Sequence, residues 1–289
     1  GFDLEHGLDT SYVDFRHYLE NEDYEYLMWF EELYGFVVDS KRDFVEDYLW
    51  KEFESKLYAI NEDELVDNGK YIEMGLDEGD IGIEDTLDYY WEDQYGFIER
   101  LNDYIKLWIE QIDISVLKKT KMIKFNRNDM FITFNYTILL ERIYHVDEWN
   151  ILHIHGSIGE NDYSPVIGHG NSLKIDEARG HAKRAEDEML EKETSIYNAL
   201  ANYYERTFKD VNHYIGLNRD FFKKLGNIDQ IFVIGNSLGD VDMPYFREVK
   251  ENVKKDATWY IYYYRTSEEI TFRNKLISIG IAEKHIRML

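Results

Sequence analysis

Three polar clusters in this chain stand where short apolar runs stop. Asn135-Tyr136-Thr137 follows Met130-Phe131-Ile132-Thr133-Phe134, His155-Gly156 follows Ile151-Leu152-His153-Ile154, and Gly235-Asn236-Ser237 follows Ile231-Phe232-Val233-Ile234. A carboxamide can position a ribose or a water, an imidazole with a pKa near neutrality can take a proton from either, and a glycine turn with a hydroxyl can hold phosphate. His155 is therefore the candidate base and Asn135 the candidate positioning group, whereas His153 reads as structural. Asn135 and Thr137 also fit a plainer role as helix caps, and both roles stay open at this point. Gly156 permits either an unusual backbone angle or close approach of a ligand.

The run Gly235-Asn236-Ser237-Leu238-Gly239 also matches the G-x-S-x-G nucleophile elbow. A hydrolase on that plan would use Ser237 as nucleophile, Asp240, Asp242 or Asp256 as orienting acid and His285 as base. Such a fold needs several strands after the elbow, and only Thr258 to Tyr264 reads as one. A turn whose amides and hydroxyl hold phosphate or ribose is the better reading.

To bring these residues together the apolar runs must be strands. They are four or five residues long, rich in Ile, Val and Phe, and read as buried parallel strands of an α/β sheet, whose ligands bind at the carboxyl ends. Asn135, His155 and Gly235 are thus predicted at one edge of one mainly parallel sheet, around a nucleotide-type pocket. Three- and four-residue spacing predicts helices over Tyr12 to Leu33, Asp39 to Leu57, Ile83 to Ile112, Ile138 to Tyr144, Asp176 to Tyr214 and Glu268 to Ile279. In the fifth, Ala182, Ala185, Met189, Tyr197, Leu200 and Tyr204 form one apolar stripe. Asn61 to Gly82, rich in Asp, Glu and Gly, reads as a long loop.

The 289 residues carry a net charge of -25, and the excess is confined to the first part of the chain. Residues 1 to 115 hold 33 acidic against 8 basic side chains, and the remainder hold 25 of each. Such an acidic first part repels phosphate backbones, so nucleic acid is a poor general partner for it. With zero Cys there is no disulfide framework, thiol nucleophile or Cys-ligated zinc, and no metal is expected. No apolar run is long enough to span a membrane and no leader opens the chain, which points to the cytoplasm.

Taken in order, Gly1-Phe2-Asp3-Leu4-Glu5-His6-Gly7-Leu8-Asp9-Thr10-Ser11-Tyr12, Thr133 to Thr137, His153 to Gly156, Gly168-His169 and Gly235-Asn236-Ser237-Leu238 through Asp242 resemble the bacteriophage abortive-infection AbiH family across nearly the whole chain. That pattern in turn resembles the sirtuin-like, NAD-binding superfamily. The resemblance implies a single Rossmann-like α/β domain over 1–289, with an acidic helical insertion over about 13–115 and a second helical segment over about 170–222. It also implies a first strand preceding Gly1.

By the same resemblance, Gly1, Phe2 and Asp3 belong to the glycine loop over the dinucleotide, Asn135 and His155 are catalytic, and Thr133, Tyr136, Thr137, Gly156, Gly168 and His169 line the cofactor. Gly235, Asn236 and Ser237, continuing to Asp240 and Asp242, hold the adenosine side. Without a Cys-ligated zinc module, water is the expected acceptor of the ribosyl group. The implied protein is a bacterial cytoplasmic defence effector that hydrolyses NAD; its alternative is a non-enzymatic module that senses NAD or ADP-ribose. Homo-oligomers and a phage-derived trigger are the partners to be expected.

Overall fold

The computed structural model describes residues 2–33, 57–60, 62, 66, 100–115, 126 and 128–289. All of the helix expected over Asp39 to Leu57 except Leu57 itself, which stands in a turn, and the first part of that over Ile83 to Ile112 lie outside these. Of the expected loop from Asn61 to Gly82 only Glu62 and Val66 are described, and both are helical, so acid-rich composition was not sufficient evidence for a loop there.

In chain order the elements are α1 (Phe2–Glu5), α2 (Tyr12–Glu22), α3 (Tyr24–Leu33), α4 (Arg100–Glu110), β1 (Phe131–Thr133), α5 (Leu139–Tyr144), β2 (Ile151–His153), α6 (Ser172–Asp187), α7 (Glu191–Arg206), α8 (Val211–Leu217), α9 (Arg219–Lys223), β3 (Gln230–Val233), α10 (Met243–Asn252), β4 (Thr258–Ile261), α11 (Glu269–Ser278) and β5 (Ile286–Met288). They fall into two compact units. One comprises Gly1–Asp14, Lys106–Val166 and Asp210–Leu289, the other Phe15–Ile105 and Ile167–Lys209. Among the described residues no helix is long and apolar enough to cross a membrane.

The second unit is helical. The predicted helix over Tyr12 to Leu33 breaks at Asp23, whose carboxylate accepts from the Tyr26 backbone amide at 2.9 Å and so starts α3 afresh. In α7 the buried residues Ile196, Ala199, Leu200, Tyr203 and Tyr204 repeat at helical spacing, and the buried alanines Ala178, Ala182 and Ala185 of α6 allow close packing. Met189, predicted in the same stripe, is 88% exposed, because the chain turns there with a left-handed φ of 57° and ends the helix before it.

The first unit carries the strands. β1 pairs in parallel with β2, placing Thr133 opposite His153, and β3, β4 and β5 form a parallel sheet in that order. The single sheet predicted from sequence is therefore two separately hydrogen-bonded pieces among the described residues. Side chains rather than ladder bonds connect them: Phe134, just beyond β1, packs against the core of Val233, Trp259, Ile261 and Phe272 and also against that of Leu152, Ile154, Phe222 and Tyr245. Only β2 is fully buried. Phe232 of β3 is 53% exposed and stacks on Tyr260 of β4 at 4.8 Å, so that face of the sheet is not the covered one the sequence reading required. β5 was not anticipated at all, since its run of three residues is too short to show a period.

Candidate functional site

The parallel register decides where the candidate residues fall. With Thr133 opposite His153 and the Ile154 amide bonded to the Thr133 carbonyl at 3.1 Å, Asn135 and His155 each lie two residues past the carboxyl end of neighbouring strands. The loop after β3 reaches the same place through Asp242, whose Oδ1 is 3.4 Å from His155 Nε2.

Asp3 supplies the centre of the first part of the site. It is 6% exposed, accepts from Asn135 Nδ2 at 2.8 Å on one oxygen and from Thr137 Oγ1 at 2.9 Å on the other. Burial pushes its carboxyl above the usual carboxylate range, opposed by the bonds from Thr137 and Asn135 and by the charge of His6. A raised folded pKa means that the folded chain holds this proton more tightly than the unfolded chain. The ionised carboxylate accordingly costs stability as pH rises from the ordinary value through the folded one. The cap reading of Asn135 and Thr137 is excluded by these bonds: α5 starts at Leu139 with no side-chain cap, and both residues turn to Asp3 instead.

Asp3→Asn keeps an acceptor for Asn135, offers Thr137 Oγ1 an N–H to accept from in place of the oxygen it now donates to, and removes the buried charge, so its unfolding free energy at pH 7 is expected to change by less than about 1 kcal/mol. Asp3→Ala strands both buried donors and is expected to cost roughly 2–4 kcal/mol. Urea unfolding of the two variants checks this; equal losses would mean that the charge, not the bonding pattern, holds the segment.

Around this centre the side chains are interlocked. His6 Nε2 meets Tyr144 Oη at 2.6 Å, and Phe2 packs on both rings. His153 Nε2 donates to Glu141 Oε1 at 2.7 Å, and its Nδ1 faces the Asn135 carbonyl at 3.3 Å. Burial works to lower the pKa of His153, but the bond and charge of Glu141, with Asp162 and the Asn135 carbonyl, outweigh it and the value is raised. Sequence reading labelled His153 structural without seeing Glu141, which lies twelve residues earlier on α5.

Gly156 has φ of 77°, and a Cβ there would lie 2.5 Å from the carbonyl oxygens of Tyr163 and Ser164. Its lack of a side chain makes room for those two carbonyls. Thr133 Oγ1 accepts from the Asn135 amide at 3.1 Å, and Tyr136 Oη donates to the Val166 carbonyl at 3.3 Å. In the third cluster Gly235 turns with φ of 67°, Asn236 Oδ1 accepts from the Leu238 amide at 2.6 Å, and Asp240 is an exposed carboxylate paired with Lys275 at 2.8 Å. A Cβ on Gly239 would meet the Asp242 carboxylate at 3.8 Å and the Ser237 hydroxyl at 4.0 Å. The hydrolase arrangement fails on topology: His285 precedes β5 and is level with the start of β3, whereas Ser237 lies beyond its end, at least roughly 10 Å away along the strand direction. Gly1 lies outside the described residues.

Gly168 and His169 belong to the second unit. There a Cβ on Gly168 would meet the Thr207 carbonyl at 2.6 Å, and His169 is wholly buried, Nδ1 accepting from the Asn171 amide and Nε2 donating to the Tyr204 carbonyl, both at 3.1 Å. That pattern fixes the neutral imidazole, and burial pushes its pKa down to about 4 from 6.5. Below pH 6.5 the unfolded chain binds a proton that the folded chain refuses, so stability is expected to fall by roughly 3 kcal/mol between pH 6.5 and 4 from this residue. Urea unfolding at pH 7.5 and 4.5 should show a smaller loss in His169→Gln than in the original chain; identical losses would contradict it.

No curated protein and no solved structure matches this sequence. The family model for bacteriophage abortive infection AbiH matches residues 1–263, a span that takes in every strand-end residue described above. The chain thus belongs to the bacteriophage abortive infection AbiH family.

Proposed function

We propose that this AbiH protein serves in defence against phage by binding NAD at the strand-end site of its first unit and hydrolysing it to nicotinamide and ADP-ribose. The observation that carries the proposal is the convergence of the Asp3, Asn135 and Thr137 network with the His155 and Asp242 pair at the carboxyl ends of β1 and β2. Ligands of α/β sheets bind at such ends. A Rossmann-like, sirtuin-like completion of the sheet is part of the same proposal, as are self-assembly and a phage-derived trigger.

Nicotinamide leaves as a neutral molecule, so the bond breaks by developing positive charge on the ribose rather than by strong acid. In this scheme Asn135 holds the ribose or the water, His155 accepts the proton, and the Gly235 to Ser237 turn receives the adenosine side. The fit is good at that turn, where Gly235 is exposed and the Ser237 hydroxyl makes no hydrogen bond among the described residues. A non-enzymatic sensor of NAD or ADP-ribose is the second reading. It is favoured by the 4% exposure of His155 and by the commitment of the Asn135 amide to Asp3.

Calorimetry with NAD tests the shared premise of both. The chain is expected to bind, and Ser237→Ala to bind about 2- to 12-fold more weakly, as loss of one neutral hydrogen bond dictates. Absence of NAD binding would overturn the hydrolase reading and NAD sensing, and absence of ADP-ribose binding as well would overturn the sensor reading altogether.

A further inference from the structure

We infer that Asp242 is the positioning residue of His155, keeping Nε2 protonated and making Nδ1 the basic nitrogen of the ring. The catalytic consequence rests on the NAD-hydrolase reading; the pairing does not. Asp242 Oδ1 and His155 Nε2 are 3.4 Å apart, on side chains only 13% and 4% exposed, where charge is weakly screened.

The placement of Asp242 is itself informative. It occupies the N-cap of α10, where an aspartate ordinarily accepts a bond from the second or third amide of its own helix, yet its side chain makes no such cap. The carboxylate faces the imidazole instead, while the start of a ten-residue helix favours its ionised form. The ring is walled by Phe134, edge-on at 5.3 Å, and by Tyr245 at 5.6 Å, so it cannot turn from Asp242 without displacing the half-buried Phe134 or the buried Tyr245. Asp242 and Tyr245 are titratable groups in contact with it, and both come from the start of α10. A separation of 3.4 Å exceeds that of a formed hydrogen bond, as is common for a base and its orienting acid before ligand binds.

The test follows His155 by nitrogen-edited NMR, its signal assigned by loss in His155→Gln, in the original chain, Asp242→Asn and Asp242→Glu. NAD turnover is measured on the same samples. Asp242→Asn, close to isosteric, is expected to lower the His155 titration midpoint by about one pH unit or more, because an adjacent negative charge favours the imidazolium. It is also expected to cut kcat by at least about tenfold with KM within about twofold, the mark of a group acting on the barrier, and Asp242→Glu to restore most of both. An unchanged His155 titration in Asp242→Asn overturns the pairing whatever the activity. A shifted titration in a protein that never turns over NAD supports the pairing and overturns the hydrolase reading.

Discussion

His155→Ala is expected to slow nicotinamide release from NAD by at least about a hundredfold, the lower end of what a positioned acid–base group supplies, while the protein still folds. The loss should appear in kcat more than in KM, since the proton moves only as the barrier is crossed. Asn135→Ala is expected to act similarly, and for a second reason: it removes one of the two donors that hold Asp3 in place. Steady-state kinetics and thermal melts of both variants decide the matter. Turnover like that of the original chain in His155→Ala would withdraw the base assignment.

Gly156→Ala is expected to lose roughly 3–4 kcal/mol of stability, enough to unfold much of a marginally stable chain. The left-handed backbone at φ of 77° alone costs an alanine about 1–2 kcal/mol. The added methyl would also press on two backbone carbonyls at 2.5 Å, and backbone cannot move aside as a flexible side chain can. Gly7 separates the two contributions. Its φ is 76° but nothing lies within 4 Å of a Cβ there, so Gly7→Ala should cost only the conformational part. Urea unfolding of the two variants is the comparison, and equal losses would mean that the Tyr163 and Ser164 carbonyls yield.

Strand existence was legible because apolar runs such as Ile151 to Ile154 are a local property, and their register then placed Asn135 beside His155. Helical periodicity was legible for the same reason in α4, α7 and α11, but it overran the helix end at Met189 and gave no range for α9 or α10. What the sequence could not show is which polar groups face each other. Asp3 finds Asn135 across 132 residues and Thr137 across 134, and nothing in local spacing encodes such a contact. The pairing of Asp242 with His155 was hidden likewise, because it joins the segments that follow two different strands. The single sheet was over-read: short parallel strands announce a strand order only through their partners, and the partners of β1 and β3 proved to be different.

Nicotinamide released with time by the purified full chain in the presence of NAD tests the central claim most directly. Steady turnover with one ADP-ribose formed per nicotinamide, lost in His155→Ala, is the expected result. A chain that binds NAD yet releases no nicotinamide over many equivalents of protein would contradict hydrolysis.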